Sequence, residues 1–180
     1  YVHDHFLKKT VHAGEAYGPE SIFQAITALH ADRIGHGYHL FSPELISEKS
    51  IGDPEGFSRA LAEYIADRRI TIEVCITSNL QTNPSIGSVE NHKFRRILEE
   101  KLSATLCTDN RLVSHTTVTD ELQLAVDTFH MSPQQLRNIV IYGFKRSFFP
   151  GSYREKRAYV RGVIDRYDRV AAGFGVPTVG

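Results

Sequence analysis

The chain has 180 residues, 41% hydrophobic and 23% charged, which is ordinary for a globular protein and sufficient for one sizeable core. Its 21 basic and 21 acidic residues cancel, so we expect no nucleic-acid partner, and no apolar run reaches the roughly 18 residues that a membrane span needs. No charged-then-apolar leader opens the chain, and two cysteines are too few for a disulfide framework. We therefore expect Cys75 and Cys107 to be buried free thiols in a cytoplasmic protein.

Apolar, β-branched segments alternate with amphipathic ones along the chain. The predicted strands, in order, are KKTVHAGE, DRIGHG, ITIEVCITSN and SATLCTDN. The predicted helices are GPESIFQAITALHA, FSRALAEYIADRR, VENHKFRRILEEK, TDELQLAVDTFH and SPQQLRNIVIYGFKRSFF, the last opening on a capping box at Ser132. A final long helix carries an apolar packing stripe: Val160, Val163, Ile164, Tyr167, Val170, Ala171 and Phe174. The stretch YHLFSPELISEKSIGDPEGF is predicted to be a long loop with one helical turn.

Strands that alternate with helices predict a parallel sheet joined by right-handed crossovers. Polar residues end successive predicted strands at positions 12, 36, 78 and 109, which are 24, 42 and 31 residues apart. A (β/α)8 barrel uses about 31 residues per unit, so the chain holds about four of eight strands. We expect residues 1–180 to form one α/β domain, the C-terminal half of such a barrel with about strands 5 to 8. A four-stranded doubly wound sheet is the alternative.

The predicted strand ends carry side chains that an apolar core does not need. His12 and Glu15 follow the first strand, His36 lies between two glycines after the second, and Ser78-Asn79 and Asp109-Asn110 end the third and fourth. The carboxyl ends of parallel strands meet at one face, where the chemistry of such folds is found. Imidazole and carboxylate groups are ligands that zinc accepts. Each group taken singly has a structural explanation, as a hydrogen-bonded histidine or as turn and cap chemistry.

The segments TVHAGE, DRIGHG and LCTDNRL, in this order and spacing, resemble the second half of the adenosine deaminase family. IEVCITSNLQT and GPESI are similar to bacterial members, and the resemblance runs over essentially all 180 residues. The resemblance implies a metal-dependent (β/α)8 barrel that hydrolytically deaminates adenosine to inosine, with one zinc ion per complete active site. A purine nucleoside and water would be its partners.

The resemblance also implies individual roles. His12 and Asp109 are similar to two zinc ligands of the family. Glu15 is similar to the acid that protonates purine N1, and His36 to the histidine that orients or deprotonates the attacking water. Asn110 takes the place of an aspartate that contacts the purine N7 edge in many members, and an amide can donate to N7 directly.

A further residue joins the expected site through its backbone. Gly14 is expected to lie against the substrate, because a residue without a Cβ allows close approach and lets Glu15 reach the base.

Half of the expected site has no counterpart in this sequence. The family supplies two more zinc ligands from a His-x-His pair that ends its first strand. His3 and His5 offer that spacing, but they stand just before the first predicted strand, and we expect them at the surface. The remaining histidines, which lie on predicted helices or loops, are expected to be solvated or capping: His30, His39, His92, His115 and His130.

Because the sequence begins at Tyr1 without an initiator methionine, we expect a piece of a longer protein. Its partner would be the N-terminal half of the barrel, in the same protein or in a second chain. Two other functions stay open: a sibling deaminase acting on adenine, AMP or a modified adenosine, and a non-catalytic binding or assembly fragment of a split or nicked enzyme.

Overall fold

The computed structural model describes residues 1–177 and contains a four-stranded parallel sheet. The strands are β1 (Thr10–Ala13), β2 (Arg33–His36), β3 (Thr71–Val74) and β4 (Ala104–Leu106). They pair in chain order, β1 with β2, β2 with β3 and β3 with β4. An α/β fold with a parallel sheet is confirmed, and all four carboxyl ends face the same edge of the sheet.

The described residues also contain eight α-helices, which connect the strands and follow the last one. Their bounds are α1 (Pro19–Thr27), α2 (Pro54–Arg68), α3 (Ile76–Thr82), α4 (Phe94–Glu99), α5 (Arg111–Ser114), α6 (Val118–Phe129), α7 (Pro133–Lys145) and α8 (Tyr153–Gly173). None of these helices is long and apolar enough to cross a membrane. After β2 the chain makes two 3-10 turns, at Tyr38–Phe41 and Pro43–Leu45, in the segment predicted to be a loop with one helical turn.

The core forms where the short strands pack under the helices. Ile34, Ile72 and Val74 at the centre of the sheet have no more than 1% of their surface exposed. On α7, Gly143 allows the helix to approach β4 closely, because a Cβ there would lie 2.7 Å from the hydroxyl oxygen of Thr105. Strands covered in this way lose the polar alternation of a half-exposed sheet, which is why they are recognisable as apolar runs in the sequence.

The third strand is shorter than predicted, and this prediction was wrong at its carboxyl end. The β-branched run continues to Thr77, but the strand stops at Val74 and α3 begins at Ile76. The buried carboxylate of Glu121 accepts a hydrogen bond from the free backbone N–H of Thr77 at 3.3 Å. An acidic group at a helix N-terminus stabilises the helix, so a tertiary contact outweighs the local strand propensity. Ser78 and Asn79 therefore lie on a helix and not at a strand end.

One predicted helix is also divided. The segment VENHKFRRILEEK forms a 3-10 turn, Val89–Asn91, and then α4, with His92 extended between them. The ring of His92 is buried and its Nδ1 accepts the backbone N–H of Phe94 at 3.0 Å. This side-chain contact replaces a helical hydrogen bond and breaks the helix at that point.

The predicted capping box is confirmed, whereas the predicted burial of the α8 stripe and of the two thiols is confirmed only in part. Ser132 and Gln135 form the expected capping box at the start of α7. On α8 the predicted stripe is only partly covered, since Val160 and Ala171 are buried but Phe174 is 83% exposed. Cys75 and Cys107 are free thiols, the first buried and the second half-buried, and burial raises the pKa of Cys107 to about 11.

Substitution of Gly37, the residue after β2, tests whether the chain needs a left-handed conformation at this point. Its φ is +58° and an added Cβ would lie 2.8 Å from Cγ2 of Ile72, so Gly37→Ala combines backbone strain with overpacking. We expect a loss of about 2–4 kcal/mol in the free energy of unfolding, measured by urea denaturation.

Gly162→Ala is the matched control. Gly162 lies inside α8 with open space around it, so the alanine is expected to stabilise the fold by about 0.5–1 kcal/mol. Equal effects of the two substitutions would contradict the strained geometry at Gly37.

Candidate active site

The site begins at the carboxyl ends of β1 and β2. His12 is paired with Gly35 across the two strands, and the His12 ring lies over the glycine. A Cβ at Gly35 would stand 2.9 Å from Cδ2 of His12, so only glycine leaves room for the ring in this position. Because His36 follows Gly35 in β2, it lies beside His12 of β1.

Left-handed backbone geometry marks these strand ends. Gly14 and Gly37 have φ values of +68° and +58°, and the non-glycine residues His36 and Asp109 have +64° and +54°. For a residue with a Cβ this conformation costs roughly 1–2 kcal/mol. Such strain is found where a side chain must point in one direction, and here it occurs at two residues that the sequence marks as functional.

Three titratable side chains converge at this point: His12, Glu15 and His36. One potential ligand atom from each lies within 4.8 Å of the others. The two imidazole rings meet edge to face with centroids 4.9 Å apart, and Nε2 of His36 lies 3.3 Å from Oε2 of Glu15. His36 is buried, Glu15 half-buried and His12 exposed, so the cluster is open on the side of His12.

Burial is the largest influence on His36 and lowers its pKa. The carboxylates of Glu15 and Asp109 act in the opposite direction, and the neighbouring His12 lowers the pKa further. These charges act on one ring because the ends of β1, β2 and β4 lie at the same face.

Asp109 lies on this face beside α3. The hydroxyl of Ser78 donates to Oδ2 of Asp109 at 2.8 Å, which orients the carboxylate. Among the described residues Asp109 does not belong to the group of three within 4.8 Å. The predicted pairing of His12 and Asp109 on one ion therefore stays a prediction.

The donor set fits zinc in its chemistry. Zinc takes imidazole nitrogen and carboxylate oxygen at about 2.0–2.2 Å, so its ligand atoms stand a little more than 3 Å apart. The three clustered groups offer such atoms at close range, and Asp109 adds a second carboxylate at the same face.

Asn110 and Gly14 both make hydrogen bonds within the protein. Oδ1 of Asn110 caps α5 by accepting the backbone N–H groups of Leu112 and Val113 at 3.1 and 3.2 Å. Its amide group retains N–H donors for a ligand. The Gly14 N–H donates to the hydroxyl of Ser21, and its carbonyl accepts from the backbone N–H of His39. The substrate contacts expected of Asn110 and Gly14 stay predictions.

The sequence missed a buried histidine behind the cluster. His92 was expected to be solvated or capping, but only 2% of its surface is exposed and burial lowers its pKa to about 4. Its Nε2 lies 3.2 Å from Oδ1 of Asn79, whose amide nitrogen lies 3.2 Å from Nδ1 of His36. No local pattern indicates these contacts, because they join a 3-10 turn, a helix and a strand.

Among the described residues the other histidines do not belong to this cluster, although the backbone N–H of His39 donates to the Gly14 carbonyl and its ring contacts the Ser42 hydroxyl. His115 and His130 follow helices in left-handed capping positions, as expected. His3 stacks on His30 with ring centroids 4.0 Å apart, and Nδ1 of His5 contacts the carbonyl of Tyr1. His3 and His5 are exposed, which confirms their placement at the surface.

His92 makes the stability of the fold depend on pH. The unfolded histidine has a pKa near 6.5 and the folded one about 4, so the unfolded state binds the proton first as the pH falls. We expect this group to remove about 2 kcal/mol from the free energy of unfolding between pH 7 and pH 5, measured by urea denaturation.

His92→Gln should remove that part of the pH dependence, whereas His130→Gln, at an exposed capping site, should leave it unchanged. A His92→Gln variant that still loses stability as steeply as the parent between pH 7 and pH 5 would contradict the assignment.

Comparisons with known proteins identify the family of this chain. The family model described as adenosine deaminase matches residues 1–166. An adenosine deaminase of Klebsiella pneumoniae is 39% identical over 154 residues, which are 86% of this chain and 41% of the relative. The chain thus spans about two fifths of the length of that curated relative.

Solved structures give the same result for the fold. The N6-mAMP deaminase of Arabidopsis superposes with a TM-score of 0.68 at 26% identity, over 92% of this chain and 43% of the other. An amidohydrolase of Burkholderia ambifaria, solved with bound zinc, superposes with a TM-score of 0.70 at 19% identity, over 95% and 44%. Because the match to the family model covers more than half of this chain, the chain belongs to the adenosine deaminase family.

Proposed function

We propose that this chain carries half of the active site of a zinc-dependent enzyme that converts adenosine to inosine. The observation that carries the proposal is the cluster of His12, Glu15 and His36 at the carboxyl ends of parallel strands, in a member of this family. The activity belongs to the complete enzyme, and residues 1–180 form one partial barrel domain of it.

The strand order supports a half barrel. In a (β/α)8 barrel each parallel strand pairs with the next one along the chain. In a doubly wound sheet the order reverses at a switch point. The order β1-β2-β3-β4 has no reversal and therefore favours the barrel over the doubly wound alternative.

An apolar groove beside the last strand supports the same proposal. It lies next to β4, and its lining includes Leu106, Val118, Leu122, Ile139 and Phe148. We propose that the N-terminal half of the barrel, from the same protein or a second chain, covers this groove and pairs with β1 and β4. The chain's coverage of 41% of its relative is consistent with this partner.

The mechanism assigns one task to each side chain. Glu15 donates a proton to purine N1, which makes C6 electrophilic, and the oxygen of a water molecule then attacks C6. The bond from C6 to the amino nitrogen breaks and ammonia leaves with one proton from that water, while the second proton of the water returns to the carboxylate of Glu15 and restores the acid. His36, 3.3 Å from Glu15, orients or deprotonates the water.

Metal binding falls to His12 and Asp109, with further ligands from the other half of the barrel. A zinc ion held there supplies Lewis-acid activation of the attacking water at neutral pH. Asn110 is proposed to donate to the purine N7 edge, and Gly14 to lie against the base.

The exact substrate is a second proposal. The Arabidopsis relative is an N6-mAMP deaminase, and at 26% identity it favours a purine nucleotide as the alternative substrate. The shared chemistry is hydrolysis at C6, so the two candidates differ in the groups that bind the phosphate and, for an N6-methylated nucleotide, in the space for the methyl group on the leaving amine. The free thiols Cys75 and Cys107 fit a reducing cytoplasm.

Glu15→Gln in the complete enzyme separates proton donation from metal binding. The amide cannot supply the N1 proton, and general acid catalysis contributes about 10²–10⁴-fold, so kcat should fall by that factor with zinc content unchanged. Asp109→Ala should instead lower zinc content, measured by elemental analysis. A Glu15→Gln enzyme with near-parental kcat would remove Glu15 from the acid role.

Residues 1–180 without a second polypeptide should show no turnover and less than one zinc per chain. Zinc sites ordinarily use at least three protein ligands, and open parallel edges favour association. The test measures mass, oligomeric state, zinc stoichiometry and adenosine deamination of the purified chain. A monodisperse monomer with one tightly bound zinc and full turnover would overturn the half-barrel proposal.

A further inference from the structure

A buried chain of hydrogen-bonding groups runs from the candidate site into the core. It begins at Nδ1 of His36, passes through the side-chain amide of Asn79 and the ring of His92, and ends at the backbone N–H of Phe94. The heavy-atom distances are 3.2, 3.2 and 3.0 Å. His36, Asn79 and His92 are each 2% exposed, so water does not compete for these contacts.

The direction of this chain is set at its buried end. A backbone N–H can only donate, so Nδ1 of His92 must accept from Phe94. Burial lowers the pKa of His92 to about 4, which keeps the ring neutral, with its single proton on Nε2. That proton is donated to Oδ1 of Asn79.

The amide of Asn79 passes this direction on to His36. With Oδ1 facing His92, the Asn79 Nδ2 group faces Nδ1 of His36 and donates to it. A flipped amide would place an N–H of Asn79 against the N–H of His92 and leave both buried donors unpaired. Because such a group costs about 1–3 kcal/mol, the orientation of the amide follows from the network.

His36 is therefore left with one possible tautomer in its neutral form. Its Nδ1 accepts a hydrogen bond, so its proton is on Nε2, the atom 3.3 Å from Oε2 of Glu15. A histidine that binds a metal normally donates its other ring N–H to an acceptor. His36 has the reverse arrangement, which separates it from the proposed metal ligands His12 and Asp109.

We propose that Asn79 and His92 are positioning residues that hold His36 with its proton on Nε2, so that His36 meets the attacking water as a hydrogen-bond donor. This inference rests on the proposed function and decides between the two roles that the sequence left open for His36. A donor at this point orients the oxygen of the water, whereas an unprotonated Nε2 would remove its proton.

A serine protease shows how much kcat can fall when a catalytic histidine has the wrong tautomer. In a serine protease, replacing the aspartate that orients the catalytic histidine by asparagine leaves the geometry intact but places the ring in the wrong tautomer, and kcat falls about 10⁴-fold. Asn79→Asp is the corresponding change here, because the nearly isosteric carboxylate has no N–H to donate and accepts from Nδ1 of His36 instead.

The direct test is the tautomer itself. The complete enzyme is labelled with ring ¹⁵N-histidine, and long-range ¹H–¹⁵N correlation spectra report which nitrogen of His36 carries the proton. We expect protonated Nε2 and unprotonated Nδ1 in the parent, and protonated Nδ1 in Asn79→Asp. A parent His36 with its proton on Nδ1 would overturn the proposal without any activity measurement.

Kinetics provide the second readout. We expect Asn79→Asp to lower kcat at least about 100-fold while KM changes less than about threefold, because the altered group meets the water and not the purine. His92→Gln retains a side-chain N–H that reaches Asn79 and should keep the parental tautomer and most of kcat. His92→Phe removes the donor and should lose both.

His130→Gln is the matched control, a histidine at an exposed cap with no contact to this chain of groups. A kcat of Asn79→Asp within twofold of the parent, or equal behaviour of His92→Gln and His92→Phe, would refute the positioning role. If Asn79→Asp does not fold, the proposal is tested by the tautomer of His36 in the parent and by the comparison of His92→Gln with His92→Phe. A parent with the expected tautomer but no purine deamination would refute the proposed function and leave the assignment of His36 intact.

Discussion

The contact between His12 and Gly35 is the constraint on which the candidate site depends. Strand pairing brings these two residues opposite each other, and the missing side chain of Gly35 gives the His12 ring its place. The next residue of β2 is His36, so the register that seats one imidazole also delivers the other. A slip of β2 by one residue would turn its side chains to the opposite face of the sheet and take His36 away from His12.

Backbone strain at the strand ends has a related purpose. His36 and Asp109 adopt left-handed conformations that glycine would adopt at lower cost. The fold retains them because the core around β2, β3 and β4 is fully packed and holds the ends of these strands in position. The packed sheet thus tolerates the strain at His36 and Asp109, which fixes the direction of these two side chains at its edge.

The polar groups beneath the site are as buried as the apolar core. Glu121 is 1% exposed and receives hydrogen bonds from the N-terminus of α3 and from Thr116, and His92 is 2% exposed and joins Asn79 to Phe94. Both systems hold α3, the helix that carries Ser78 toward Asp109 and Asn79 toward His36. A buried polar network with all partners satisfied stabilises one arrangement, because each alternative leaves a donor or acceptor unpaired.

The sequence by itself determined the parallel α/β fold, the four strands, most helices and the strand-end positions of His12, His36 and Asp109. These features depend on local periodicity, on glycine and on capping chemistry, which neighbouring residues express directly.

Only the tertiary structure decided where β3 stops and why His92 is buried. The run ITIEVCITSN favours a strand throughout, but Glu121, more than forty positions away, stabilises the start of α3. His92 looks like any helix or loop histidine until Asn79 and Phe94 surround it. These outcomes depend on contacts between residues distant in sequence, and burial strengthens such contacts enough to override local propensity.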